Sequence, residues 1–334
     1  MTTASLAPSS ATAPANTLHA AGRDVDHGWV PEAIDALSHE RALSIYRQSV
    51  FNREFELQVA AAVSNKKITT PTYLAVGQEH IAATLAHTFP KPMIFAQHRA
   101  HPYYLSFGGD PAALRDELLG LDSGCAQGKG GSASIHDPAI PMYGHSGLMG
   151  DQIPIAVGAA IASGRTTLAV AGDASVEEDY VFSAMGYAQA KQAPVLFVCE
   201  DNDLSILTPV ATRRQWNMTD VVRSLGMYAV DIADDPWLIA HHVLQLDTNL
   251  PAFFNIRTCR HLWHAGAGCD GPPEWNRFKL IQVRLDDLGL GSQRREIEKE
   301  SSQRAKNLWK TARQQVDSQV DFKRPSNLQE KKLA

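Results

Sequence analysis

Cysteine is scarce and unpatterned in this chain of 334 residues: Cys125, Cys199, Cys259 and Cys269 show no CxxC spacing. That excludes a disulfide framework and makes a reduced, cytoplasmic protein the expectation. Positive charge is also short, with 31 Lys and Arg against 36 Asp and Glu, so nothing in the balance suggests a nucleic-acid partner. No apolar run reaches membrane-spanning length, and no membrane association is expected. The opening stretch, residues 1–30, is Ala, Ser, Thr and Pro with Arg23 as its one strongly basic residue; lacking a charged start and a long apolar core, it reads as a disordered tail and not a signal peptide. No internal repeat is visible. What is present is 44% apolar residues, enough for one large domain with a sizeable core.

The chain is organised around Val170-Ala171-Gly172-Asp173-Ala174-Ser175 and Asn202. Thr166 to Ala171 is a short apolar run suited to a buried parallel strand, and Pro194 to Cys199 is a second. Between them Val181, Phe182, Met185 and Tyr187-Ala188 recur at helical spacing, so the unit reads as a βαβ crossover. Both strands then end at one sheet edge, which brings Asp173 and Asn202 together. A carboxylate and a carboxamide there are hard oxygen donors suited to Mg²⁺, and the small residues Gly172, Ala174 and Ser175 leave room for a diphosphate at a helix start. The same letters also suit a helix N-cap Asp and a turn Asn.

GDAS…EDND resembles the GDG…NN signature of thiamine diphosphate enzymes, in the form carried by α subunits of 2-oxo acid dehydrogenase E1 components. Ala174 replaces the second Gly and Asp201 the first Asn, while Asp173 and Asn202 are intact. The resemblance implies an α/β fold with a mostly parallel sheet flanked by helices, and Leu204 as a third metal ligand through its carbonyl. It extends over about residues 35–315. Gln97-His98-Arg99-Ala100-His101 follows a strand-like Met93 to Ala96, where ligands collect in open α/β sheets. The family has Tyr-Arg-x-His there, which implies that Arg99, with His98 in place of Tyr, holds the diphosphate and that His101 lines the active site. Gly147-Leu148-Met149-Gly150-Asp151-Gln152-Ile153-Pro154 resembles the family segment whose backbone, near Gly147 and Met149, holds the aminopyrimidine. Met149 would be the wedge that bends the cofactor; on its residues alone it also suits a core Met at a helix start.

Gly124 to Ser132 resembles the family's GCxxGKGGS. No Lys-Ser/Thr pair closes it as in a nucleotide loop, so its backbone is expected to approach another segment closely. The Gly77-Gln78-Glu79 turn makes Glu79 a structural, helix-capping residue. Thr258 to Gly266 stands where the family has a histidine loop, which implies a catalytic, cofactor-facing role for His264; Ala265 replaces the family's regulatory Ser.

Together these features imply an E1 α-type subunit that binds thiamine diphosphate and Mg²⁺, with His101 and His264 as catalytic residues. It would decarboxylate a small 2-oxo acid and pass the acyl group to a lipoyl E2 or another acceptor. No residue matches the family's pyrimidine-contacting Glu, so a β-type subunit in an α₂β₂ assembly is expected to supply it. The alternatives are an acyloin-cleaving or C–C-ligating homologue and a non-catalytic regulatory or scaffold subunit. The expected organisation is a tail over 1–30, a cofactor-binding domain over 31–275, and a C-terminal helical extension over 276–334 with a frayed end.

Overall fold

The computed structural model describes residues 26–320 except 90, 145, 247–248, 270–272 and 274, with the backbone alone for 311–320. The tail before residue 26 and the expected fraying after residue 320 lie outside the described residues. In chain order, a 3₁₀ turn at Pro31–Ala36 leads to α1 (His39–Ser64), α2 (Glu79–Thr88), β1 (Met93–Phe95), α3 (His101–Ser106), α4 (Pro111–Leu118), β2 (Met142–Tyr143), α5 (Gln152–Ser163) and β3 (Thr167–Gly172). Then come α6 (Asp179–Lys191), β4 (Val195–Asp201), β5 (Leu204–Ser205), β6 (Thr208–Pro209), α7 (Val210–Arg213), α8 (Met218–Ser224) and β7 (Tyr228–Ala233). The chain closes with α9 (Pro236–Leu244), β8 (Ala252–Arg257), α10 (Arg277–Asp287) and α11 (Gly291–Val320).

Six strands form one sheet in the order β2-β1-β3-β4-β8-β7, and every neighbouring pair is parallel. The expected mostly parallel sheet flanked by helices is therefore what the chain forms. Its strands are apolar on both faces because each face is covered. Ile94, Leu168, Val170, Leu196, Val198, Phe254 and Ile256 pack with residues of α1, α2, α3, α4, α9 and α11. Their neighbours Met93, Phe95, Ala169, Ala171, Val195, Phe197 and Phe253 pack with α5, α6 and α8 on the other side. The period of two along each strand thus sorts the core into two layers.

From β1 the chain moves outward to β2 and then returns to β3 on the other side of β1. That reversal opens a crevice at the carboxyl ends of β1 and β3, the place where open α/β sheets bind ligands.

Ser38 is extended and its side chain accepts the Arg41 N–H, which starts α1. Residues 204–209 form the β5–β6 hairpin, which Asp203 (φ 67°) and Ile206 (φ 55°) enable by entering left-handed space. Side-chain periodicity gives no sign of such a short turn.

Candidate active site

Asp173 directly follows β3 and Asn202 directly follows β4, and these strands pair in parallel with Gly172 opposite Glu200. The sheet edge therefore holds a buried carboxylate, 2% exposed, beside a carboxamide. Asn202 Oδ1 accepts the Leu204 N–H at 3.2 Å, and Asn202 Nδ2 donates to Gln78 Oε1 at 3.1 Å. Leu204 stands in β5, paired with Pro209. Asp173 is ion-paired through Oδ2 with Arg213 Nη2. Arg214 donates to the Asp173 carbonyl at 2.9 Å and to Glu177 at 2.7 Å. Burial and the nearby Asp201 push the Asp173 carboxyl up to about 6, with Arg213 pulling it the other way.

The turn after Asp173 departs from expectation. Ala174 leads into a 3₁₀ turn at Ser175–Glu177, and α6 begins only at Asp179. No α-helix N-terminus is aimed from Gly172-Asp173-Ala174-Ser175, so its partial positive charge is not supplied there. Cationic charge comes instead from Arg213 and Arg214. Gly172 gives close approach to a side chain: a Cβ there would lie 3.0 Å from Gln97 Oε1. Gln97 in turn donates to Glu200 at 2.6 Å, and Tyr103 donates to the same carboxylate at 2.8 Å. Burial pushes the Glu200 carboxyl up to about 7 against those two hydrogen bonds.

The loops after β1 and β8 meet above this edge. Arg99, 3% exposed, donates through Nη1 to the Leu74 carbonyl at 2.9 Å and through Nη2 to His264 Nδ1 and O, both at 3.1 Å. Since a guanidinium only donates, Nδ1 of His264 is the acceptor and its ring proton sits on Nε2. The Tyr73 ring stands edge-on to His98 at 4.7 Å and to His264 at 5.4 Å, and the two imidazoles lie 5.5 Å apart. His98, Arg99 and His264 are thus one cluster. Arg99, which the resemblance assigns to the diphosphate, also holds His264 in place. His261 lies elsewhere, against the Trp275 carbonyl at 3.2 Å.

His101 is placed apart from this cluster. It is fully buried, with Nδ1 2.6 Å from Glu56 Oε1 and Nε2 2.9 Å from Ser132 Oγ. Ser132 Oγ also accepts the Tyr73 N–H at 2.9 Å. Both ring nitrogens of His101 are engaged inside the protein. It positions Ser132, and through it the backbone of Tyr73.

The stretch Ser146 to Met149 presents an open surface: Leu148 is 62% and Met149 36% exposed. Gly147 (φ 98°) has nothing within 4 Å of where a Cβ would stand, whereas a Cβ on Gly150 (φ 86°) would meet Val181 at 2.8 Å and the Ser175 carbonyl at 3.0 Å. Gly150 therefore seats this segment against the Asp173 turn, Gln152 Nε2 ties it to the Val170 carbonyl at 2.7 Å, and Tyr180 Oη donates to the Met149 carbonyl. Met149 is not a core residue.

The Gly-rich loop wraps a buried carboxylate. Glu117 Oε2 accepts the N–H groups of Ala126 and Gly128 at 2.7 and 2.8 Å, and Oε1 those of Gly130 and Gly131 at 2.8 and 2.9 Å. The loop is a nest for an anion, and an internal side chain fills it. A Cβ on Gly124 would stand 2.5 Å from Glu117 Oε2, which is the close approach its glycines predict. On the far side of Tyr73 and Ser132 a cavity of about 380 Å³ opens between Lys67–Pro71 and this loop.

Sequence reasoning missed Gln78, Gln97, Glu117, Arg213 and Arg214. Gln78 stands in the Gly-Gln-Glu turn, beside Glu79. Glu79 pairs with Arg53 at 2.8 Å and accepts the Gly77 N–H, but it does not cap α2, whose N-cap is Gln78 with no side-chain cap hydrogen bond. The arginines carry no local signal, because their partners lie 40 and 37 positions away.

Asp173, Asn202 and the Leu204 carbonyl make an all-oxygen set that fits a hard divalent cation by donor type. No group of three or more His, Cys, Asp or Glu suited to a metal occurs among the described residues; this set, with its single carboxylate, is of a different kind.

The dehydrogenase E1 component model matches residues 47–236. The chain is 32% identical over 186 residues to the testis-specific pyruvate dehydrogenase E1 α subunit of Rattus norvegicus, which covers 54% of this chain and 47% of that one. It is 30% identical over 204 residues to the Saccharomyces cerevisiae pyruvate dehydrogenase E1 α subunit, covering 59% and 47%. The Zymomonas mobilis subunit is 30% identical over 178 residues, covering 51% and 50%. The chain thus spans about half the length of these relatives. In fold it is similar to transketolase from Leishmania mexicana (TM-score 0.52, 12% identity, covering 85% of this chain and 48% of that one). Transketolase from Campylobacter jejuni is comparable (TM-score 0.53, 13% identity, covering 85% and 51%).

Proposed function

The chain belongs to the dehydrogenase E1 component family, and on that footing we propose that it is the α-type subunit of a thiamine diphosphate-dependent 2-oxo acid dehydrogenase. The observation that carries this reading is the convergence of Asp173 and Asn202 at the ends of adjacent parallel strands, below the Arg99–His264 pair. Asp173, Asn202 and the Leu204 carbonyl would hold Mg²⁺, Ala174 and Ser175 would line the diphosphate turn, and the Gly147–Met149 surface would take the pyrimidine. When bound, thiamine diphosphate supplies a nucleophilic carbon that allows a 2-oxo acid to lose CO₂.

This chain's own residues orient and donate. Arg99 fixes His264 with its proton on Nε2, so that Nε2–H can hydrogen-bond an oxygen that gains negative charge at the reacting centre. Tyr73 and His98 pack the ring in place. The open surface at Leu148 and Met149 fits a site completed by a β-type subunit, whose carboxyl group contacts the pyrimidine, in an α₂β₂ assembly. A lipoyl E2 would serve as acceptor: its disulfide would take two electrons from the decarboxylated fragment as the S–S bond breaks, one sulfur carrying the acyl group as a thioester and the other leaving as a thiol. His98, where the family has Tyr, favours as second reading an acyloin-cleaving relative that would bring a titratable donor to the substrate. The four cysteines are free thiols, which supports a cytoplasmic setting.

The test is reconstitution. The purified chain alone consumes no pyruvate or branched 2-oxo acid with thiamine diphosphate and Mg²⁺, and a β-type subunit restores turnover. Turnover by the chain free of any partner overturns the split site and directs attention to Glu79.

A further inference from the structure

Resting on the role given above to His264, we propose that Glu56, fully buried on α1, is a positioning residue for the reaction: it sets the direction of a hydrogen-bonded relay, Glu56–His101–Ser132–Tyr73, that holds the Tyr73 ring against His264.

Each proton in the relay has one place to be. Glu56 Oε2 accepts the Ala75 N–H at 2.9 Å, and Oε1 stands 2.6 Å from His101 Nδ1. A carboxylate beside Nδ1 draws the ring proton there and leaves Nε2 as an acceptor. Ser132 Oγ, 2.9 Å from Nε2, therefore donates to it and keeps a lone pair for the Tyr73 N–H, also at 2.9 Å. Water does not compete, since Glu56 and His101 are 0% and Ser132 is 1% exposed.

The relay is part of a strap on three consecutive residues. Ser132 holds the Tyr73 N–H, Arg99 Nη1 donates to the Leu74 carbonyl at 2.9 Å, and Glu56 holds the Ala75 N–H. Residues 73–75 belong to no helix or strand, so these side chains, and not a ladder, satisfy and fix the backbone. From the strap the Tyr73 ring reaches His98 at 4.7 Å and His264 at 5.4 Å, and Arg99 ties the same strap to His264. A shift of the strap therefore moves the ring on which His264 rests. An error of about 1 Å at a reacting centre can cost about a hundredfold in rate.

Glu56→Gln tests the relay without removing a heavy atom. The Ala75 N–H can only donate, so the amide oxygen stays with it and the NH₂ group turns to His101. Nδ1 must then accept, the ring proton moves to Nε2, and Ser132 meets a second donor while its own proton loses its acceptor. In ¹⁵N spectra of the full chain labelled at histidine, with the His101 signals assigned by their loss in His101→Asn, Nδ1 should change from an N–H to an imine nitrogen. With the β-type subunit present, kcat should fall by about tenfold or more, while KM and the calorimetric affinity for thiamine diphosphate with Mg²⁺ stay within about threefold. Ser132→Ala should show the same split, and adding Glu56→Gln to it should cost less than about a further threefold, because both act through one link. An unreversed ring, a reversed ring with unchanged kcat, losses that multiply in the double variant, or cofactor affinity falling as far as kcat overturns the relay and leaves the proposed function standing. If Glu56→Gln does not fold, Ser132→Ala decides by the same split of kcat from KM and affinity. Absence of turnover in the unaltered chain with its partner overturns the proposed function, and the relay's role in it falls too.

Discussion

Glu117 offers the most demanding test of how the site is framed. Glu117→Gln changes one oxygen into an NH₂ group and leaves the side-chain shape intact. In the structure each carboxylate oxygen accepts two backbone N–H groups of the Gly-rich loop. The amide can satisfy one pair and turns a donor toward the other, so two charge-assisted hydrogen bonds are lost. At about 1.5–3 kcal/mol for each bond to a charged group, the expected cost is about 3–6 kcal/mol. Residue 117 is 1% exposed, so water does not readily replace the missing acceptor. The loop can open without unfolding the sheet, and the loss should be expressed locally. Hydrogen exchange at the amides of Ala126, Gly128, Gly130 and Gly131 should accelerate by a hundredfold or more, as about 3 kcal/mol implies, with a smaller fall in global stability toward urea. Because Ser132 closes the loop and binds His101, turnover of the reconstituted enzyme should fall as well. Protection unchanged within about threefold would refute the view that an internal carboxylate organises this loop.

Asp173→Ala should weaken Mg²⁺–thiamine diphosphate retention by about a hundredfold or more with the fold intact by circular dichroism; undiminished calorimetric affinity with the partner present would place the metal elsewhere. His264→Ala should lower kcat by about 10²–10⁴ with little loss of cofactor affinity, and a loss confined to binding would move His264 to the phosphate end. Arg99→Ala should lower both affinity and turnover, because Arg99 sets the His264 ring; a pure binding defect in steady-state kinetics and calorimetry would contradict that coupling. Burial, helped by the neighbouring His241, depresses His242 from 6.5 to about 4. The unfolded chain then takes up a proton near pH 6.5 that the folded chain refuses until about pH 4, so this contribution is present above pH 6.5 and is lost as pH falls toward 4. It amounts to about 2–3 kcal/mol at most. His242→Leu should flatten that acid limb in urea unfolding measured from pH 7 to 4, and an unchanged slope would show that other groups carry it.

The sequence by itself determined the layered fold and the address of the site. Buried strands such as Thr167–Gly172 and Val195–Asp201 are legible because apolar runs of that length, broken by turn residues, have few other solutions. Once they are parallel neighbours, Asp173 and Asn202 must end at one edge. The glycines also declared their need for close approach, although the partner of the Gly-rich loop, Glu117, did not show itself. Only the tertiary structure decided charge and proton placement. Arg213 on Asp173, Arg99 on His264, and the burial of His101 between Glu56 and Ser132 join residues 40, 165, 45 and 31 positions apart. No local pattern encodes such pairs, because each depends on which loops the folded sheet brings face to face and on how much water they exclude. A motif can therefore supply the ligand types, but burial and distant partners determine which of them can meet a cofactor and which serve the frame around it.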